Sequence, residues 1–296
     1  MMKKTAFIAI VGRPNVGKST LLNAILGEKI AIVSKKPQTT RNRITGVHTI
    51  GDNQFVFLDT PGMHRPRTRL GDYMVKTAGE TLGSSDAAIL VVEPRPNVGD
   101  IEASLIANIK NAHMPAILVI NKVDTVRATD IAQTISAYAG AYNFDAVIPI
   151  SAKTGKDVET VVAECERYLE ESVWFFPSDV LTDMPERHIA SEIIREKLLR
   201  ILDEEIPHGT AVCIEEFKES KDMVRIRAEI FCERQSHKGI IIGKNGVTLK
   251  KIGSYAREDL EKFLGTKVFL DLWVKVKENW RDSDVRLRDF GYREES

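Results

Sequence analysis

Gly12 to Ser19 of this 296-residue chain read GRPNVGKS, a glycine-bounded loop that closes on a lysine and a hydroxyl. Backbone N–H groups in such a loop converge on one concavity, the start of a following helix adds positive potential, and the lysine neutralises charge, so the ligand class is a nucleoside triphosphate. Gly12, Arg13, Pro14, Asn15, Val16, Gly17, Lys18, Ser19 and Thr20 are the residues expected around the phosphates, with Lys18 on the phosphate oxygens and Ser19 on magnesium.

Three more polar clusters follow in order. Asp59-Thr60-Pro61-Gly62 pairs a carboxylate able to hold magnesium through water with a glycine whose N–H can meet a terminal phosphate. Asn121-Lys122-Val123-Asp124 ends in a carboxylate that can accept two hydrogen bonds, matching the N1–H and exocyclic amino donors of guanine; a site built on a buried carboxylate rejects adenine, which lacks that pair. Ser151-Ala152-Lys153 is placed to touch the base.

The elements that must position these clusters are legible as short apolar runs. Thr5–Val11 (TAFIAIV), Gln54–Leu58 (QFVFL), Ala116–Ile120 (AILVI) and Val147–Ile150 read as strands, each delivering one cluster at its C-terminal end, where doubly wound sheets bind ligands. Thr20–Leu26 has helical spacing, and Ala87–Val92 (AAILVV) suits another buried parallel strand. The ordered set GRPNVGKS, DTPG, NKVD, SAK resembles the superfamily of translation-related GTPases over roughly the first 170 residues. That resemblance implies a mixed, mostly parallel sheet with helices on both faces, GTP and GDP as ligands, Mg2+ as cofactor, and a switch threonine between the first helix and DTPG. Gln38-Thr39-Thr40-Arg41 is the match, with Thr39 and Thr40 both candidates for magnesium. Lys18, Thr39, Thr40, Asp59 and Gly62 are the expected catalytic set. Met63 stands where many regulatory GTPases carry a water-orienting glutamine, and a thioether cannot do that work, so slow intrinsic hydrolysis is expected.

A second domain is expected from length alone. Residues 1–172 read as the GTPase domain, 173–186 as a linker containing Trp174, Phe175 and Phe176, which should pack on the first domain, and 187–296 as a further domain. Arg187–Ile206 has one apolar helical face, Thr210–Phe217 and Met223–Cys232 read as a strand pair, Thr248–Leu264 as a helix and Lys267–Lys277 as a strand. Between strand pair and helix lies Gly243-Lys244-Asn245-Gly246. This order resembles an α+β type II KH domain, in which a GxxG loop clamps single-stranded RNA. Lys238, Ile242, Gly243, Lys244, Asn245, Gly246, Lys250 and Lys251 are the expected RNA contacts. Between Arg234 and Lys277 ten basic residues face four acidic ones, although the whole chain balances 42 Lys and Arg against 42 Asp and Glu. Local, not global, charge therefore supports a phosphate-binding surface.

Three dispersed cysteines, with no CxxC pair, suggest neither disulfides nor zinc, and no apolar run is long enough for a signal core or a membrane span. A cytoplasmic protein with no stable oligomer is expected. A GTPase domain followed by one KH domain, with SEIIREKL at 191–198 and DLWVKVK at 271–277, resembles the Era family of GTPases. The resemblance implies binding of 16S rRNA near its 3′ end, assistance to small-subunit (30S) maturation, and peripheral association with the cytoplasmic face of the inner membrane, although the sequence shows no amphipathic anchor. A timed clamp follows as an expectation, in which GTP orders the segment around Thr39 and Thr40 and hydrolysis releases RNA.

Overall fold

The computed structural model describes residues 2–292, which divide into two compact units. The first comprises the chain up to Ala31, Thr40–Pro66 and Gly71–Asp183; the second comprises Ile32–Thr39, Arg67–Leu70 and everything described from Met184 onward.

In the first unit, β1 (Lys4–Val11) runs into α1 (Lys18–Leu26), followed by β2 (Ile44–Ile50), β3 (Asn53–Asp59), α2 (Arg69–Gly83), β4 (Ala87–Val92), α3 (Asp100–Asn111), β5 (Ala116–Ile120), α4 (Ala128–Ala139), β6 (Ala146–Pro149), α5 (Val158–Cys165) and the two-residue β7 (Glu170–Glu171). The sheet order is β2-β3-β1-β4-β5-β6, with β7 paired antiparallel to the start of β1. β3, β1, β4, β5 and β6 are mutually parallel, while β2 is an antiparallel hairpin partner of β3. Because β4 and β5 are covered on both faces they are apolar throughout, all of Ala87–Val92 and Ala116–Ile120 being buried. The chain leaves β3 on one side of β1 and returns as β4 on the other, so the C-terminal ends of β1 and β4 border the crevice that such a reversal creates.

The aromatic run after β7 belongs to this unit. Buried Gln54 accepts from the N–H groups of Phe175 (2.9 Å) and Phe176 (3.1 Å) and donates to the Phe176 carbonyl (2.9 Å). Trp174 Nε1 donates to the Asp52 carbonyl at 3.0 Å, and Phe175 packs edge-on against Phe7. Trp174, Phe175 and Phe176 are thus held on the first unit, which extends to Asp183.

The second unit is built from α6 (Glu186–Ile201), β8 (Ala211–Ser220), β9 (Met223–Cys232), α7 (Gln235–Ile242), α8 (Val247–Leu264), β10 (Lys267–Val276) and α9 (Asp284–Asp289). The sheet order is β10-β9-β8, with β10 parallel and β8 antiparallel to β9. Ile194, Leu198, Ile230, Ile241, Ile252, Ala256 and Val274 fill one core between helices and sheet. α6 also carries charge inside: fully buried Glu196 binds Lys197 at 2.6 Å, and Lys197 pairs in turn with Asp259. Past β10, Trp280 is fully enclosed, stacking with Tyr292 and donating from Nε1 to the Gly209 carbonyl at 2.9 Å. α7 is an element the sequence pattern did not give; the eight residues QSHKGIII show little helical periodicity, and Arg234 supplies no side-chain cap.

Candidate functional site

Gly17 caps α1 at φ +103°, a left-handed conformation that suits glycine, and a Cβ there would lie 2.2 Å from Asn121 Nδ2. The close approach matters because Asn121 joins the loops. Its Nδ2 donates to the Val16 carbonyl (2.8 Å), and its Oδ1 accepts from the N–H groups of Ala152 (2.9 Å) and Lys122 (2.8 Å). One buried amide therefore ties GRPNVGKS, NKVD and SAK to each other. Asn121, Ser151 and Ala152 are buried, whereas Lys153 and Asp124 are exposed. Left-handed Lys122 turns the chain into a single 3-10 turn, Val123–Thr125, that carries Asp124.

The second cluster forms at the head of α1. Ser19 Oγ donates to Asp59 Oδ2 at 2.6 Å and lies 2.8 Å from Thr40 Oγ1, which is itself 3.4 Å from the same carboxylate oxygen. Thr39 is not brought there; its hydroxyl donates to the Lys36 carbonyl at 2.8 Å. Of the two candidate threonines the structure gathers Thr40 alone. Buried Lys18 donates to the Gly12 (3.1 Å) and Arg13 (2.9 Å) carbonyls. Burial pushes the Lys18 ammonium down to about 8, against the charge of Asp59. Burial likewise pushes Asp59 up to about 6, opposed by Lys18 and by hydrogen bonds from Ser19, Thr40 and the Thr60 backbone. Asp59 Oδ1 is buried with no hydrogen-bond partner among the described residues. A buried carboxylate short of positive charge, beside two hydroxyls, is an oxygen-only donor set that suits Mg2+. Gly62 lies against Pro14, where a Cβ would come within 2.6 Å of the proline nitrogen, and Met63 donates its N–H to the Gly12 carbonyl at 3.2 Å while its side chain packs on the core. Thr60 Oγ1 donates to the Ile10 carbonyl at 2.9 Å, so its hydroxyl faces the sheet.

In the second unit, Gly243 and Gly246 bracket a single turn in which Lys244 and Asn245 are exposed. A groove of about 380 Å³ opens beside it, with Gly246, Leu249, Gly253, Leu270 and Leu272 lining it together with Lys250, Ser254 and Arg257. Of the expected contacts, Gly246 and Lys250 line this groove; Lys244 and Asn245 occupy the adjoining turn, Ile242 packs into the core, and Lys238 and Lys251 lie off the groove wall. Sequence reading missed Leu249, Gly253, Ser254, Arg257, Leu270 and Leu272. A signal existed: positions 246, 249, 250, 253, 254 and 257 form one helical stripe, and on it Gly253 and Ser254 are small.

Two family models match the chain, one described as 50S ribosome-binding GTPase over residues 7–122 and one as KH domain over residues 205–281. GTPase Era of Clostridium kluyveri is 49% identical over 293 residues, covering 99% of this chain and 100% of that protein. The chain belongs to the GTPase Era family. GTPase Era of Ruminiclostridium cellulolyticum is 48% identical, with 99% of each chain covered. Among solved structures, Era in complex with MgGDPNP and nucleotides 1506–1542 of 16S ribosomal RNA matches with a TM-score of 0.94 at 40% identity, over 99% of this chain and 100% of that one. An Aquifex aeolicus Era variant bound to GDP·AlF4− matches equally well, with 0.94 and 40%, over 98% of this chain and all of that one. A GTPase domain followed by a KH domain is thus the architecture of this Era-family chain, as its motif order implied. Among the described residues no helix is long and apolar enough to cross a membrane.

Proposed function

We propose that the chain binds GTP, hydrolyses it with Mg2+, and uses its KH domain to hold the 3′-terminal region of 16S rRNA during small-subunit maturation in the cytoplasm. The observation that carries this reading is the convergence of Ser19, Thr40 and Asp59 at the head of α1, beside Lys18 and within a frame bolted by Asn121. Ser19, Thr40 and Asp59 would hold Mg2+, which when bound neutralises charge developing on the transferred phosphoryl group. Lys18, freed from two loop carbonyls, meets phosphate oxygens. The Gly62 N–H would meet the terminal phosphate, and Asp124 with Ser151, Ala152 and Lys153 would read the base. Met63, anchored in apolar packing, offers no strong hydrogen bond to a water, so intrinsic turnover is slow and rises when another group orders the nucleophile.

On the KH side, Gly243 to Gly246 approach the RNA backbone, Lys244 and Lys250 meet phosphates, and the Leu249, Leu270 and Leu272 wall receives bases. The likeness to an Era complex with 16S rRNA supports this choice of RNA. The test uses the full-length protein with a labelled 3′-terminal 16S fragment and with GDP, a nonhydrolysable GTP analogue, or ATP. Guanine-selective binding together with loss of RNA binding, but not of nucleotide binding, in Lys244→Glu/Asn245→Glu is the expected result. Equal affinity for ATP and GTP, or RNA binding indifferent to the double substitution, defeats the reading.

A further inference from the structure

Glu93 is the first residue beyond β4, and its surroundings follow from sheet order. β4 lies between β1, whose end feeds the phosphate loop, and β5, whose end feeds NKVD; Leu90 is level with Val11 and Val92 with Ile120. A side chain leaving the end of β4 therefore emerges between the two loops. The side chain of Glu93 is 18% exposed, and three cations converge on it: Lys122 at 2.5 Å, Arg95 at 2.9 Å and Arg13 at 3.6 Å. Lys122 simultaneously donates to the Asn15 carbonyl at 2.6 Å, and Arg13 extends to buried Glu102 on α3 at 2.7 Å. Burial alone would raise the Glu93 carboxyl, yet the Lys122 hydrogen bond and the charges of Lys122, Arg95 and Arg13 hold it below its ordinary value.

We propose that Glu93 is a positioning residue for guanine-nucleotide binding: its carboxylate holds Lys122 of the base loop on Asn15 of the phosphate loop and restrains Arg13. It touches no nucleotide itself. Asn121 joins the same loops by neutral hydrogen bonds on the buried side, and Glu93 closes the open side with charge. Without it Lys122 keeps a single carbonyl partner and stands near Arg13 with no anion shared between them, so the loops lose their common register before ligand arrives. The inference rests on the GTP site described above.

The decisive feature of the test is its sign. If Glu93 acted only as a nearby negative charge, Glu93→Gln would strengthen the field felt by the phosphates and slow nucleotide release. A positioning role predicts the opposite. Release of a fluorescent GDP analogue from the full chain, followed by stopped flow, should accelerate about tenfold in Glu93→Gln, a coupling of the size shared by groups in one network. Lys122→Gln should also accelerate release, and the double variant should be no faster than the quicker single one. Arg95→Gln, which removes an exposed partner outside the loop junction, should stay within about twofold of the parent. The melting midpoint without nucleotide should hold for Glu93→Gln, separating lost positioning from lost folding. Unchanged or slower release in Glu93→Gln, or additive effects in the double variant, overturns the assignment while leaving the GTP site intact. Failure of the parent protein to bind the GDP analogue overturns both.

Discussion

The two glycines of the GxxG turn look equivalent in sequence and are not equivalent in conformation. Gly246 sits at φ +77°, ψ 8°, a left-handed conformation that costs a non-glycine residue about 1 kcal/mol, and a Cβ there meets nothing within 4 Å. Gly243 sits at φ +74°, ψ 171°, a region confined to glycine, where strain alone reaches about 1–3 kcal/mol. A Cβ at Gly243 would also fall 2.2 Å from Thr248 Oγ1 and 2.9 Å from the Thr248 nitrogen, so the first turn of α8 must shift. Overpacking of this kind adds roughly 1–3 kcal/mol. Gly246→Ala should therefore cost about 1 kcal/mol and Gly243→Ala about 2–6 kcal/mol, roughly thirtyfold or more in an opening equilibrium. Hydrogen exchange of the α7 and α8 amides in the full chain reads this directly as lost protection. Asparagine sharpens the comparison, since Asn245 already occupies left-handed space at φ +52°. Gly246→Asn should recover part of the alanine loss and Gly243→Asn none. Equal loss of protection for the two alanine variants, or a larger loss at 246, would refute the conformational argument.

Other expectations follow from the same geometry. Thr40→Ala should abolish magnesium-dependent GTP hydrolysis while Thr39→Ala keeps most of it, as single-turnover assays at saturating magnesium would show. Asn121→Ala leaves the Val16 carbonyl and the Ala152 N–H unpaired in a buried setting, so melting of the GTPase domain should register a loss of about 2–4 kcal/mol, with nucleotide affinity falling further. Lys18 lies near 8 before phosphate arrives and must carry its proton beside phosphate, so between about pH 8 and pH 10 nucleotide binding should take up protons, and its calorimetric heat should depend on the ionisation enthalpy of the buffer. Burial pushes the thiols of Cys165 and Cys213 up to about 12, so in the native protein both should resist alkylation at pH 8 and react on unfolding.

What was legible in the sequence was whatever local spacing determines. Ala87–Val92 and Ala116–Ile120 can only be strands covered on both faces, and the polar clusters that follow such strands had to gather along one sheet edge. Long-range closure was not legible. Thr39 and Thr40 are chemically identical neighbours, and only the side to which the backbone turns decides that one reaches Ser19 and the other Lys36. Asp124 reads as a contact to a base, and the left-handed Lys122 before it, invisible in the motif, decides where its carboxylate stands. Glu93 lies in no motif, and its importance appears only when sheet order places the end of β4 between two loops more than a hundred residues apart in sequence. The KH groove repeats the lesson: Leu270 and Leu272, two apart on β10, share one strand face, and that they form a wall with the Gly253 and Ser254 stripe of α8 is a matter of packing between elements and not of the ten residues of the strand. In each case the decisive term is a contact between distant segments, and single-residue chemistry narrows the candidates without choosing among them.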